Sequence, residues 1–233
     1  MGKWQSDTNR VEMTRDEVLR AIGEQVLRLE RPHPVRVGID GVTGSGKTTL
    51  ADELAQTLAT QARQVIRASI DDFHNPPDVR YRLGRDSPEG YYLDCFDYPS
   101  FLSLLLGPLG PGGSRRYRAG AFGQPDGSEV TFEEQHAAED AIVIVDGVFL
   151  FRPELNGCWD YHVWIEVDQR LAMERGIARD AGWMGSPAEA RRRYEQRYVP
   201  GEWLYLNAVR PWEVANVVVA NEDVGAPDAR FRL

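Results

Sequence analysis

Apolar positions along the chain follow two periods. Val18, Leu19, Ile22, Val26 and Leu29 recur at helical spacing behind Thr14-Arg15-Asp16-Glu17, which has the spacing of a capping box. Pro32 and Pro34 stop that helix, and Val35–Ile39 then reads as a strand. Leu50, Leu54 and Leu58 mark one face of a helix over 49–58, and Gln64–Ile70 is a second strand ending in Asp71-Asp72. Ala141–Val145 is a continuous apolar run of the buried-strand type. Tyr161–Val167 and Ala215–Ala220 are a fourth and a fifth strand, with helices expected at about 169–180, 187–198 and 201–209. A short apolar helix is expected over Ser100–Leu106, a turn-rich connector over Gly107–Gly113, and a small hairpin over 115–132 with 115–118 facing 130–132. Residues 73–98 show no sustained period. Strands alternating with helices, several of them apolar throughout, predict an α/β fold. It has three layers: a mostly parallel five-stranded sheet with helices on both faces.

The bulk composition narrows the setting. The chain has 233 residues, enough for one large domain, with 42% hydrophobic and 27% charged positions. A net charge of −9 argues against a polyanion such as nucleic acid as the main partner, though it allows a small phosphorylated ligand. Cys95 and Cys158 have neither CxxC nor zinc spacing and read as two reduced thiols. No apolar run approaches membrane-spanning length and the polar start lacks a signal-peptide core, so a cytoplasmic protein without membrane association is expected, with residues 1–12 as a flexible tail.

One octapeptide carries the clearest chemistry. Gly41-Val42-Thr43-Gly44-Ser45-Gly46-Lys47-Thr48 fits G-x-x-x-x-G-K-[ST], the phosphate-binding loop. Its glycines let the backbone turn N–H groups inward around phosphate oxygens, Lys47 adds positive charge, and the Thr48 hydroxyl can ligate Mg²⁺. Gly41, Thr43, Gly44, Ser45, Gly46, Lys47, Thr48 and Thr49 are therefore the expected nucleotide-binding residues. A strand precedes the loop and a helix follows it, as anion binding at a helix N-terminus requires.

Ligands of open α/β sheets bind beyond the carboxyl ends of the strands. That rule selects Asp71-Asp72 and Asp146-Gly147. Asp146 ends the apolar run 142–145, where an acid can hold Mg²⁺ opposite Thr48. Asp71 and Asp72 stand where an acceptor hydroxyl can be oriented and its proton accepted, and since adjacent side chains point different ways the two cannot easily share that role. Seven arginines fall within 170–197, and Arg175 and Arg179 share a helical face, which suits a cationic lid over a nucleotide. Arg191, Arg192 and Arg193 read largely as a solvated face paired with Glu189 and Glu195.

These motifs together resemble the uridine kinase-like branch of P-loop kinases, whose relatives include phosphoribulokinase and the bacterial pantothenate kinase. The resemblance rests on Gly38–Leu50, Ser69-Ile70-Asp71-Asp72-Phe73-His74, Phe96-Asp97-Tyr98-Pro99, Val145–Phe149 and Glu174–Asp180, in family order across about 35–220. It implies a single P-loop kinase domain with an acceptor-side insertion at 71–135 and an arginine-bearing lid at 169–200. It further implies ATP and Mg²⁺, Asp71 as base, Lys47, Arg175 and Arg179 as catalytic cations, and Asp97 and Tyr117 on a sugar and a base. The family's Glu after the third strand is Asp146 here. Pyrimidine-nucleoside kinases carry a His shortly after that Tyr, whereas this chain reads Tyr117-Arg118-Ala119-Gly120-Ala121-Phe122-Gly123.

The expected activity is ATP-dependent transfer to a hydroxyl of a small molecule, with a nucleoside as the leading acceptor. A pantothenate- or ribulose-phosphate-like acceptor is the alternative, followed by a nucleotide-driven switch or a regulatory protein without acceptor. A GTPase needs an N-K-x-D guanine-reading motif, and Asn221-Glu222-Asp223 lacks its Lys. Self-association is left open.

Overall fold

In the computed structural model, residues 11–61, 63–121 and 132–232 are described. Strand β1 (Val11–Glu12) is followed by helix α1 (Arg15–Leu27). The Thr14 hydroxyl accepts from Glu17 N (3.3 Å) and the Glu17 carboxylate from Thr14 N (2.7 Å), completing the capping box. Then come β2 (Val35–Gly41), α2 (Lys47–Ala59) and β3 (Val65–Ser69). The acceptor-side segment contains a 3₁₀ turn (Ile70–Phe73) and three short helices: α3 (Pro77–Arg80), α4 (Pro88–Asp94) and α5 (Tyr98–Phe101). Helix α5 runs on into a π-helical turn, Leu102–Leu106. After the ribbon β4 (Arg116–Tyr117) and β5 (Gln135–His136) come β6 (Ile142–Gly147), β7 (Tyr161–Glu166), α6 (Gln169–Asp180) and α7 (Pro187–Arg193). A second π turn (Tyr194–Tyr198) leads into α8 (Val199–Val209), β8 (Val217–Ala220) and β9 (Asp228–Phe231).

The main sheet has the order β1-β9-β8-β7-β2-β6-β3. The five strands from β8 to β3 are parallel, as the apolar runs predict. Two edge strands are additional: β9 lies antiparallel on β8, and β1 antiparallel on β9 through Val11↔Ala229 and Glu12↔Asp228. The last two residues of the expected tail thus belong to the sheet, and 1–10 lie outside the described residues. Every residue of β2 and β6 is buried, because helices cover both faces. One face packs Ile22, Leu50, Leu54 and Leu58 of α1 and α2 against Val37, Ile144 and Val163. The opposite face packs Phe73, Phe101, Phe149 and Tyr205 against Val143 and Val145.

Two local readings are corrected. The segment 73–98 holds helices α3 and α4, each opened by a proline; four and seven residues are too few for a period to show. Arg116–Tyr117 pair with Gln135–His136 rather than with 130–132, of which 130 and 131 lie outside the described residues. Register then fixes the site: Asp146 stands beside Ile39 of β2 and Ser69 of β3. The carboxyl ends of three strands therefore open onto one cleft.

Candidate active site

The octapeptide leaves β2 at Gly41 and enters α2 at Lys47, with Gly44 at φ 83° and Gly46 at φ 95°, a region that L side chains rarely adopt. The surroundings enforce glycine as well. A Cβ on Gly44 would overlap the Ala172 carbonyl oxygen of α6, and one on Gly46 would lie 2.6 Å from Asn221 Nδ2. Asn221 donates from Nδ2 to Ser45 O (2.7 Å), and Thr43 N donates to Glu202 Oε1 of α8 (2.6 Å). The loop is thus held by α6, α8 and the turn after β8. Thr43, Gly44, Lys47 and Thr48 line the cleft, whereas Thr49 is exposed on the first turn of α2.

Lys47 is buried and donates from Nζ to Val42 O (2.8 Å). Burial pushes its amine below the usual lysine value, while the carboxylates of Glu202, Asp40, Asp146 and Asp71 oppose that shift. Thr48 Oγ1 donates to Asp146 Oδ2 (2.6 Å), and Arg67 Nη2 donates to Asp146 Oδ1 (2.9 Å). Asp146 itself is 2% exposed, so these two contacts fix its carboxylate at the end of β6. Beneath the loop, buried Asp40 accepts from Gly41 N (2.7 Å), Leu150 N (2.9 Å) and the Tyr205 hydroxyl. Desolvation pushes its carboxyl up to about 6 against those hydrogen bonds and Lys47. Glu202 is also buried, and desolvation raises its carboxyl against the Thr43 and Gln169 hydrogen bonds.

The far wall comes from the acceptor-side segment. Asp71 lines the cleft from the 3₁₀ turn, its N–H donating to Ser69 Oγ (3.3 Å). His74 holds the Asp71 carbonyl through Nδ1 (2.6 Å); a carbonyl only accepts, so Nδ1 carries the proton. Burial, helped by Arg80 and Arg197, lowers the His74 pKa against the opposing charge and carbonyl of Asp71. Tyr81, Tyr91, Tyr198 and Trp183 complete the wall, in a cleft of about 870 Å³ with its open mouth included.

The expected site residues separate into two groups. Lys47, Thr48, Asp71, Asp146 and Arg179 share the cleft. Arg179 pairs with Asp180 (Nε–Oδ1, 2.7 Å), which also accepts from the Tyr194 hydroxyl (2.7 Å). Arg175 does not line the cleft: Nη1 and Nη2 donate to the Asn221 and Glu222 carbonyls (2.9 and 2.7 Å). Asp97 caps α5 through Ser100 N (3.0 Å) and Ser100 Oγ (2.6 Å), and Tyr117 donates to Gln135 Oε1 (2.9 Å); neither lines the cleft. Arg191, Arg192 and Arg193 pair with Glu195, Glu189 and Asp86 on the surface, as expected for a solvated face. Sequence reasoning passed over Arg80 and Glu202, and it met Tyr91 and Arg197 only as members of an aromatic-rich segment and an arginine cluster, without a role of their own. Glu202 meets the loop 159 residues away in sequence, and no local pattern marks it.

No protein-family profile matches the chain. It is 28% identical over 158 residues to the uridine kinase of Lactobacillus helveticus, spanning 66% of this chain and 70% of that protein. The uridine kinase of Leuconostoc citreum is 27% identical over 157 residues, spanning 63% of this chain and 69% of that one. Among solved structures, a possible uridine kinase from Bacillus stearothermophilus superposes with a TM-score of 0.67 at 22% identity, covering 86% of this chain and 96% of that chain. Phosphoribulokinase from Rhodobacter spheroides gives 0.61 at 14% identity, over 88% and 81%. With the loop, the strand-end acids and the parallel sheet described above, these likenesses agree: the chain is similar to uridine kinases in sequence and has the fold of P-loop kinases.

Proposed function

We propose that the protein transfers the γ-phosphoryl group of ATP to a hydroxyl of a small molecule. The observation that carries this reading is that Asp71 lines the same cleft as Lys47, Thr48 and Asp146. A hydrolytic switch has no use for a carboxylate on the acceptor wall. The glycine-shaped loop with Lys47 suits the phosphates of ATP. Thr48 Oγ1 and Asp146 Oδ2, 2.6 Å apart, are hard oxygen donors of the kind Mg²⁺ takes alongside phosphates and water. Mg²⁺ there would neutralise charge on the phosphate oxygens.

In this reading Asp71 orients the acceptor hydroxyl and takes its proton. The hydroxyl oxygen bonds to the γ-phosphorus as the bond to the ADP oxygen breaks. Helices α6 and α7 form the lid at 169–200 that excludes water, with Arg179 at its cleft-facing side. Arg175 braces that lid on the carbonyls after β8.

The test is ADP release with Mg-ATP against uridine, cytidine, other ribosides, pantothenate and sugar phosphates. Uridine and cytidine are tried first because relatives carry the names uridine kinase and uridine-cytidine kinase. Stimulation above the acceptor-free rate is expected with at least one compound. Hydrolysis unaffected by all of them would favour the switch instead.

A further inference from the structure

The phosphate loop turns on two glycines in the left-handed region, Gly44 and Gly46. A peptide beside such a glycine can rotate as a unit with little steric hindrance. A trans peptide also holds its C=O and the following N–H in opposite directions. The Ser45–Gly46 peptide can therefore face the cleft with Gly46 N–H, which attracts a phosphate, or with Ser45 O, which repels one. Helix α2 does not make the choice. Its first bond runs from Leu50 N to Gly46 O (3.1 Å), so Gly46 N–H lies ahead of the helical ladder.

A side chain outside the loop makes it. Asn221, just after β8, is 1% exposed and donates from Nδ2 to Ser45 O (2.7 Å). With Ser45 O held on the Asn221 side, Gly46 N–H points the other way. Asn221 does not line the cleft, which opens along Thr43, Gly44, Lys47 and Thr48. The amide has a direction too. Turned over, it would set Oδ1 against Ser45 O, two acceptors in contact. Arg15 of α1 prevents that by donating from Nη1 to Asn221 Oδ1 (3.1 Å), since a guanidinium has no acceptor to offer Nδ2. Arg15 is held in turn: its side chain is 12% exposed, and Nε donates to Glu53 Oε2 of α2 (2.7 Å). A cation at one end of this chain polarises the amide and strengthens its bond to the loop. The Asn221 backbone is anchored independently, its N–H on Glu166 O (2.8 Å) and its carbonyl on Arg175 Nη1 (2.9 Å). Altering the side chain therefore leaves the turn in place.

We propose that Asn221 and Arg15 are positioning residues for the nucleotide phosphates: Arg15 orients the Asn221 amide, the amide holds the Ser45 carbonyl back, and Gly46 N–H is left facing the phosphate seat. Both residues lie outside the octapeptide, 206 positions apart in sequence, and act on the ligand only through the loop. This inference rests on the part of the reading above in which the loop binds nucleotide.

The test is calorimetry on the full chain with Mg²⁺ and two probes, ADP and inorganic tripolyphosphate. Asn221→Asp keeps the size of the side chain and its contact with Arg15, but sets an acceptor against Ser45 O. Both probes should bind about tenfold or more weakly, and by a similar factor, because tripolyphosphate shares only the phosphate seat with ADP. Arg15→Met frees the amide from outside the loop and should weaken both by about threefold or more, with Arg15→Lys restoring part of the loss. That pair carries the test should Asn221→Asp fail to fold. NMR reads the bond itself. On addition of ADP the Gly46 amide proton should move downfield in the wild type, as a charge-assisted hydrogen bond requires, and move less in the variants. A destabilised but correctly oriented loop would leave that shift intact. Unchanged affinity in a folded variant, or a Gly46 proton that shifts equally in variant and wild type, overturns the proposal. ADP release with the acceptor panel separates the readings. Tight ADP binding that survives in the variants removes this one alone; weakened binding in the variants, with no acceptor stimulating the wild type, removes phosphoryl transfer alone. A wild type that binds neither probe removes both.

Discussion

Asp71 and Asp40 are both carboxylates near the phosphate loop, and their surroundings give them different tasks. Asp71 faces the cleft, and Asp71→Asn should lower kcat by about 10²- to 10⁴-fold, the usual worth of a positioned base. Affinity for an ATP analogue should stay within about twofold, since the loop is untouched. Near-normal transfer in that variant would remove Asp71 as base. Asp40 is sealed under the loop, and burial raises its carboxyl from 3.8 to about 6. The folded state therefore holds this proton more tightly than the unfolded chain does. The associated stability is fully present below about pH 4 and is lost as pH rises through about 6, roughly 3 kcal/mol in all. Tyr205→Phe isolates the effect, because the lost hydrogen bond matters most to the ionised form. We expect a cost of about 2 kcal/mol at pH 7.5 and about 1 kcal/mol at pH 5 from urea unfolding. An identical cost at both would show that Asp40 does not titrate between them. Lys47, Thr48, Asp71 and Asp146 are legible in the sequence because each sits at a fixed offset from a strand end. Arg197 and Glu202 are not, since their partners are backbone groups brought near only by the fold.

Among the elements, α6 and the π turn after α7 depend on one glycine. A Cβ on Gly176 would overlap the Tyr194 hydroxyl, which donates to Asp180, the partner of Arg179. Gly176→Ala should cost about 1–3 kcal/mol as an overpacked contact. Hydrogen exchange should quicken across 169–198 while the amides of β2 and β6 stay protected. Uniform quickening across the molecule would show instead that these helices are part of the main cooperative unit. Long elements such as α1 and β6 are legible because several turns or a full apolar run carry the pattern. The short helices α3 and α4 are not, and the edge strand β9, Asp228-Ala229-Arg230-Phe231, shows its pairing only against β8. Arg175 and Arg179 differ for a related reason. They are one turn apart, but Asn221 and Glu222 lie beside the first and the cleft beside the second.

For the molecule as a whole, nucleotide binding should appear as stability. A ligand at a hundred times its Kd adds about 2.7 kcal/mol to the folded state. An ATP analogue should raise the melting temperature, and Mg²⁺ should raise it further. In Asp146→Asn the Mg²⁺ increment should shrink while the nucleotide increment persists; an undiminished Mg²⁺ increment would place the metal away from Asp146. Five parallel strands could be read from the chain, but the identity of the helix that crosses the loop could not. That helix is α6, whose Ala172 carbonyl fits against Gly44 so closely that no side chain can intervene. Loop and helix are therefore in direct backbone contact. Whatever free energy a bound nucleotide contributes to seating α6, a seated α6 contributes to holding the nucleotide. If the protein is the kinase proposed above and ADP leaves past α6, turnover would be paced by the lifting of that helix rather than by the phosphoryl step, and kcat is expected to fall as solvent viscosity rises.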